Sequence, residues 1–515
     1  MRRLLGWLGA VALAAIAFVL VMRLMFPVPP TEGRAPQAAL PPDPGTLLGA
    51  QMAAGAALHP GLSGVVALAD GHDALASRLA LAEVAQRSID AQYYIWHDDT
   101  SGILLLDAYR RAAARGVRVR LLLDDNGVHG LDPIMATLDA LPNLEIRLFN
   151  PSTIRRPKML GYTFDFARMN RRMHNKAMIA DGAAAIIGGR NIGDEYFQVG
   201  DAFYLDMDAL ATGPIVADTA AIFDDYWNSA SVIEAGRVLT ATPDPAAFDA
   251  RLAEVRASDA ARDLRDGLSN SAARYAQGGQ ALEWVRVSVM ADDPVKGEGR
   301  ARADQLLIAR LAPLLQSAQH RIDLASAYFV PGRAGTALLA GIAQSGRDLR
   351  VLTNALNTTD VVMVHAGYTK YRRDLLKAGV RLYELKLRAN ATPESGHQLM
   401  PFGLSGASLH AKTFALDARR VFIGSFNFDP RSAHLNCEMG FLIDSPTMAR
   451  RVSDGFDGPL DAVSYRPQLS ADGRMVWQET TAPDQVVTWQ QEPGADWLTQ
   501  AALVVIGLLP VEWLL

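Results

Sequence analysis

Two stretches of this chain repeat one spacing of side chains able to handle a phosphate ester: His174, Lys176 and Asp181 in MHNKAMIADG, and His410, Lys412 and Asp417 in LHAKTFALDA. Both read HxKxxxxD. Each histidine is followed at the same distance by an asparagine, since 191 − 174 = 17 and 427 − 410 = 17, which places Asn191 in GGRN and Asn427 in GSFN. Alternate residues of a strand share a face, so each histidine and its lysine can address one phosphate. The aspartate, beyond a short apolar run, fits the turn that follows. Phosphodiester exchange calls for a nucleophile, a proton donor for the departing alkoxide, and positive charge around the phosphoryl oxygens. One neutral imidazole can attack phosphorus while the other, protonated, serves the leaving group; the roles reverse when an acceptor arrives. Lys176 and Lys412, with Asn191 and Asn427, can clamp the oxygens as a divalent ion would, so this inventory calls for no metal and no cofactor.

A lone HxKxxxxD is weak, because a strand histidine is usually structural and a lysine usually a solvated charge. Two copies in matching surroundings point to function. An imidazole nucleophile also needs its tautomer fixed, commonly by a carboxylate. Laying DMDALATGP on EMGFLIDSP without gaps pairs Met207 with Met439 and Pro214 with Pro446, and so matches Asp206 with Glu438. Asp208, two residues on and on the same face, competes with Asp206 for that role.

The elements carrying these motifs repeat as well. SIDAQYYIW at Ser88 to Trp96 reads as a strand, Ile103 to Arg115 as a helix and VRVRLLLDD at Val117 to Asp125 as a second strand. RIDLASAYFVP from Arg321, a helical Thr336 to Ser345 and DLRVLTNAL from Asp348 repeat that β-α-β order. A further helix and strand follow in each half, which predicts an α/β fold with mixed or parallel sheets covered on both faces. Pro243 to Gly279, charged and alanine-rich, reads as a helical linker, and the proline-rich Thr31 to Gly45 as a spacer.

At 515 residues the chain exceeds one ordinary core. The organisation expected is an anchor at 1–26, a linker at 27–57, half 1 at 58–235, a helical linker at 236–280, half 2 at 281–465 and a C-terminal segment at 466–515. The net charge of −5 disfavours a non-specific nucleic-acid binder, and Cys437, the only cysteine, excludes an internal disulfide or a cysteine-cluster metal site. Leu4 to Met22 is apolar or small throughout, long enough to span a bilayer, and runs through Arg23 into prolines instead of a cleavage site. It reads as an uncleaved signal anchor, with a cleaved signal peptide as the alternative; Arg2 and Arg3 favour a cytoplasmic N-terminus, against which Arg23 counts. Trp497 to Leu515 is apolar but broken by Pro510 and Glu512, either an interfacial segment with Trp497 and Trp513 at headgroup depth or a helix docked on the protein's own core.

These motifs resemble the phospholipase D superfamily, whose signature is HxKxxxxD(x)GxxN, from about Leu58 to Asp444. AQYYIWHDDTSG, GGRNIGDEYF, LTNALNTTDVVMVHAGYTKYRRDLLKAGVRLYE and GSFNFDPRS are similar to the C-type branch of the bacterial cardiolipin synthases. The resemblance implies two α/β/α sandwich halves about a pseudo-twofold, with both histidines at one cleft. It implies phosphatidyl transfer through a phosphohistidine between membrane phospholipids, phosphatidylglycerol and phosphatidylethanolamine among them, at the bacterial inner membrane; the periplasmic side for the body follows from Arg2 and Arg3. It assigns the nucleophile to His174 and the acid/base to His410. The family's hydroxyl positions fall on Thr413 and Ser425, with Gly189 at the first-copy equivalent of Ser425.

Ile154 to Arg172 mixes Arg155, Arg156, Lys158, Arg168, Arg171 and Arg172 with Met159, Leu160, Phe164 and Phe166, which suits an anionic membrane surface; Leu399 to Leu404 is its mostly apolar counterpart. His97, Asp98 and Asp99 read either as headgroup contacts or as a polar turn. The competing functions are a phospholipase D hydrolase, a nuclease of the same superfamily and a silent membrane scaffold. The membrane segment and acidic balance disfavour the nuclease, and two intact motif copies disfavour the scaffold. Oligomeric state is left open.

Overall fold

The computed structural model describes residues 2–200, 203–276, 281–386, 407–458, 460–482, 485–508 and 512–514. Among them the chain forms two large mixed sheets. The first runs in the order Glu283–Val285, Ser63–Leu68, Asp208–Thr212, Ala184–Gly188, Ala177–Ala180, Ser88–Ile95, Arg118–Gly127, Leu144–Phe149 and Val232–Glu234. The second repeats the plan as Val287–Ala291, Met439–Ile443, Arg420–Gly424, Lys412–Leu416, Arg321–Ser326, Asp348–Asn354 and Arg381–Leu385, then continues into Ser464–Leu469, Met475–Ala482 and Gln485–Trp489. The β-α-β units supply three parallel strands per sheet, and the motif strands join them antiparallel.

The repeated Ile-Asp of Ser88–Ile95 and Arg321–Ser326 has a structural reason. Asp90 accepts from Arg120 Nε at 2.6 Å and Asp323 from Arg350 Nε at 2.5 Å, each pair on neighbouring parallel strands and fully buried. Asp224 and Asp457, on the helices Ile215–Trp227 and Pro446–Asp457, give each arginine a second carboxylate. Those two helices pack between the halves. One continuous core joins Ile179, Ile187, Phe223 and Trp227 of the first half to Val421, Ile423, Phe441 and Phe456 of the second. Two further cores fill the outer faces, beneath helices such as Thr100–Ala114 and Gly332–Gln344.

Several boundaries differ from the sequence expectation. Glu283–Val285, placed with half 2, pairs antiparallel with Ser63–Leu68 and completes the first sheet, so the crossover falls at Arg286. Residues 466–489 extend the second sheet, because Ser464–Leu469 pairs with Met475–Ala482 and the latter with Gln485–Trp489. The helical linker is two helices, Pro245–Ala257 and Asp259–Ala276, divided at Ser258. The proline-rich spacer is strapped along half 1: Arg34 donates to Val232 and Ser229 carbonyls, Ala39 N to Asp224, and Arg118 to the Ala38 carbonyl. It continues into a helix, Leu47–Leu58, capped by Thr46.

The helix Arg2–Met25 stands free of the body over its length, and its 24 residues reach about 36 Å, enough to cross a bilayer. Its end is held. Arg23 Nε donates to the Phe164 carbonyl at 3.0 Å, and Phe26 packs on Phe164 with ring centroids 6.3 Å apart.

The buried Asp–Arg pairs give a direct test of this architecture. Asp90→Ala or Asp323→Ala leaves a buried guanidinium with only its second carboxylate, Asp224 or Asp457, and should cost about 3 kcal/mol, read as a lowered midpoint in denaturant unfolding. A change below about 1 kcal/mol would contradict the assigned burial.

Candidate active site

The two motif segments are held by strand-like contacts with the opposite half. Met173 bridges Cys437, with His174 N donating to the Cys437 carbonyl at 2.8 Å; Leu409 pairs with Leu205, with His410 N donating to the Leu205 carbonyl at 2.8 Å. The residue after each partner is the carboxylate. His174 Nδ1 therefore meets Glu438 at 2.8 Å, and His410 Nδ1 meets Asp206 at 2.5 Å. Both pairings cross between the halves. The matched pair Asp206 and Glu438 is thus brought to the histidines, each to the ring of the other repeat. Asp208 is out of contention, because it is buried against Arg78 at 2.9 Å and Arg190 at 3.5 Å.

Four basic groups converge inside this frame. Lys176 Nζ donates to the His174 carbonyl at 2.6 Å, and Lys412 Nζ lies 3.0 Å from His410 Nδ1 and donates to the His410 carbonyl. Both histidines are only 6 % exposed. Burial lowers the His174 pKa well below the ordinary range, with Lys176, Lys412 and His410 adding to the effect. His410 is lowered by burial and then by Lys412, while Asp206 pulls the other way. Each ring thus feels the other half's charges, as one shared cleft requires. Burial likewise lowers both lysines, Lys176 well below its usual value. Glu438 and Asp206 compensate their ammonium groups only in part, so the cleft favours an anion.

The carboxylates differ. Burial raises Glu438, although Lys176 and a 2.5 Å hydrogen bond from Ser425 oppose it; Ser432 serves its other oxygen at 2.9 Å. For Asp206 burial is outweighed by the interaction with His410, and the carboxyl lies below its usual value. Gly189, the counterpart of Ser425, leaves the space Asp206 occupies: a Cβ there would collide with that carboxylate. Thr413, next to Lys412 in the strand, faces the opposite side and its buried hydroxyl has no partner among the described residues.

Asn191 and Asn427 orient the cleft walls, their Oδ1 atoms accepting from Ile95 N at 3.1 Å and Tyr328 N at 3.4 Å. The Asn191 amide nitrogen is buried and faces the hydroxyl of Tyr196, a ring that also flanks His410. Asp181 and Asp417 are not with the histidines. They occupy left-handed turns, φ 51° and 53°, at the far ends of the motif strands, and each accepts three backbone N–H groups: Gln86, Arg87 and Ser88 for Asp181, and Gln319, His320 and Arg321 for Asp417. At about 3.3 Å per residue they stand some 15 Å from the lysines, so their part is to hold the strands and not to touch the reacting atoms.

Other sequence expectations change with the geometry. The basic loop is largely neutralised internally: Arg155 pairs with Asp125 and Asp132, Lys158 with Asp125, Arg168 with Asp165, and Arg172 with the buried Asp124. The expected loop Leu399 to Leu404 lies outside the described residues, as does the side chain of Trp497. Asp99 caps the helix Thr100–Ala114 and Asp98 pairs with Arg251, so they form a polar turn. His97, Asp99 and Glu195 bring ligand atoms within 4.8 Å of one another, but the Asp99 oxygens are engaged by Gly102 N and Asp194 N.

Sequence reasoning missed the aromatic walls. Tyr94 meets His174 edge-on at 5.0 Å, and Tyr196 and Tyr204 flank His410 at 5.2 and 5.1 Å. Tyr94 and Tyr196 sit in the motifs named above; Tyr204 reaches His410 because Phe203–Leu205 pairs with Ala407–Leu409 across the halves. Also missed were Asp124 and Asn354, at equivalent strand ends, which accept from Met173 N at 2.8 Å and Leu409 N at 2.9 Å and so fix the residue before each histidine.

A family model described as "Cardiolipin synthase, PLD-like domain" matches residues 79–227 and 311–459. The chain is 44 % identical over 464 residues to cardiolipin synthase C of Escherichia coli (strain K12), covering 89 % of this chain and 97 % of that protein. It is 26 % identical to a cardiolipin synthase of Listeria welshimeri, over 79 % of this chain and 71 % of the other. A crystal structure of phosphatidylserine synthase from Haemophilus influenzae matches with a TM-score of 0.55 at 14 % identity, over 88 % of this chain and 95 % of that one, which supports the fold. The chain belongs to the phospholipase D-like cardiolipin synthase family.

The crowding at Gly189 yields a sharp test. Gly189→Ala should displace Asp206 from His410 and lower turnover by about 10–100-fold, the range typical for a lost orienting partner, with the fold retained by circular dichroism. Wild-type turnover would contradict the assigned Asp206–His410 contact.

Proposed function

We propose that this protein is a cardiolipin synthase, transferring a phosphatidyl group from one membrane phospholipid to the headgroup hydroxyl of a phosphatidylglycerol. The observation that carries this reading is the crossed pair of histidine–carboxylate contacts enclosing two buried lysines. With Nδ1–H donated to Glu438, His174 presents its Nε2 lone pair to the cleft, and its depressed pKa keeps the ring neutral. Nε2 attacks phosphorus. The bond to the donor's headgroup oxygen breaks, and that oxygen takes a proton from His410. The bound phosphodiester's negative charge favours the protonated His410, as does ionised Asp206. An acceptor hydroxyl then gives its proton to His410 and attacks the phosphohistidine, releasing His174. Lys176, Lys412 and the Asn191 amide hold the phosphoryl oxygens throughout.

Phosphatidylglycerol, with phosphatidylethanolamine as a further donor, fits the resemblance to the family, and nucleic acid is no substrate in this reading. A single N-terminal anchor holds the enzyme in the bacterial inner membrane with its body on the periplasmic side.

Purified protein given phosphatidylglycerol, alone or with phosphatidylethanolamine, should form cardiolipin in the presence of a chelator, followed by product mass. Appearance of phosphatidic acid alone would move the assignment to a hydrolase. His174→Ala and His410→Ala should each abolish nearly all product; full turnover in either would defeat the shared site. Because the His174 pKa is lowered, the acid limb of kcat/KM, where the nucleophile becomes protonated, should lie below the ordinary histidine value of about 6.5. An acid limb at or above that value would contradict the neutral nucleophile.

A further inference from the structure

Six of the large apolar side chains left in solvent sit on segments that lead into the site or pack against those that do. In the first half they are Met159, Leu160 and Phe166, on the turn Lys158–Gly161 and helix Tyr162–Met169 that lead into His174. In the second half Val362 opens the helix Val362–Lys377, two residues after Asp360, whose carboxylate accepts from Tyr328 at 2.7 Å beside the Asn427 contact. Leu498, on the C-terminal helix Trp497–Leu508, and Trp513 complete the group. These six are between 43 % and 66 % exposed. Soluble surfaces seldom gather large apolar side chains in this way without a partner.

The segments touch one another in sequence. Phe166 meets Trp513 edge-on at 6.3 Å. Glu512 binds Lys370 and Tyr371, and Leu503 packs on Ala366, which lays the C-terminal helix along Val362–Lys377. The docked alternative for the C-terminal segment therefore holds for its inner face, while Leu498 on the outer face stays exposed. The membrane helix joins the same surface, because Arg23 lies 3.6 Å from Asp165 and Phe26 packs on Phe164. A bilayer crossed by that helix must continue over the neighbouring apolar side chains.

The geometry points to a monotopic lipid-facing collar around the cleft mouth, formed by residues 158–169, the start of Val362–Lys377 and the C-terminal helix, inserted in the leaflet that the anchor helix leaves. This rests on the reading that Arg2–Met25 spans the membrane and deepens the proposed function by bringing the lipid phosphates to the histidines without extraction into water. Insertion here is driven by apolar side chains. The basic residues of 154–172 that would attract anionic lipid are mostly held by Asp124, Asp125, Asp132 and Asp165.

The test uses the full-length protein in phosphatidylglycerol–phosphatidylcholine vesicles whose acyl chains carry a fluorescence quencher. Single labels are placed by Ala14→Cys in the anchor, Met159→Cys and Leu498→Cys in the collar, and Ala114→Cys at the end of Thr100–Ala114 opposite the cleft. Native Cys437 is buried with its thiol pushed up to about 12, so it does not compete for label. Labels at positions 14, 159 and 498 should be quenched several-fold more than the label at 114, and the difference should persist in high salt. Quenching at 14 with 159 and 498 at the level of 114 would overturn the collar; no quenching at 14 would overturn it by removing the anchor. No activity is read, so failure to make cardiolipin would sink the proposed reaction alone.

Discussion

Each motif histidine of this protein is oriented by a carboxylate that belongs to the other half of the chain. His174 reaches Glu438, 264 residues away, and His410 reaches Asp206, 204 residues away. Neither half holds a complete histidine–carboxylate unit by itself, so the site exists only when the interface between the sheets forms. The continuous core through Ile187, Trp227, Phe441 and Phe456 supplies the burial that keeps this interface closed, and the backbone bridges at Met173–Cys437 and Leu205–Leu409 set the register. A slip of one residue at either bridge would turn the carboxylate away from the ring it serves.

Burial and charge oppose one another throughout the site. Two lysines and two imidazoles in a desolvated space are costly, and the two carboxylates offset part of that cost. The lowered lysines show that Asp206 and Glu438 offset the cleft's positive charge only in part. In the proposed reaction a phosphodiester completes that balance, so binding energy is concentrated where charge develops in phosphoryl transfer. The halves share this plan without being identical. Ser425 and Ser432 serve Glu438, whereas Gly189 leaves room for Asp206, and the two carboxyls are pushed in opposite directions. That difference suits one neutral ring and one that carries a proton.

Much of this was legible in the residues. The paired HxKxxxxD motifs, the equal spacing to Asn191 and Asn427 and the repeated Ile-Asp strands mark two α/β halves and the histidines and lysines that meet between them. The match of Asp206 to Glu438 came from a simple overlay, yet the exchange between halves did not, because a linear repeat carries no record of which copy faces which. Asp181 and Asp417 stand in the turns the sequence places them in, but their accepted N–H groups make them holders of those turns and not partners of the histidines with which the motif groups them. The arginines at 155, 168 and 172 looked free because their partners Asp124, Asp125 and Asp132 lie on other elements, while Asp165, three residues from Arg168, was overlooked. The boundary at 281 leaves Glu283–Val285 with half 2 for a similar reason: edge pairing is set by the neighbour and not by the strand's own three residues.

The exchange of carboxylates is tested most directly by the ring-nitrogen resonances of 15N-histidine-labelled protein in detergent micelles. Glu438→Gln should alter the Nδ1 signal and tautomer balance of His174 most strongly, and Asp206→Asn those of His410, with each assigned through the matching histidine variant. If Glu438→Gln instead reorganised His410 and left His174 unchanged, the crossed site described here would be wrong.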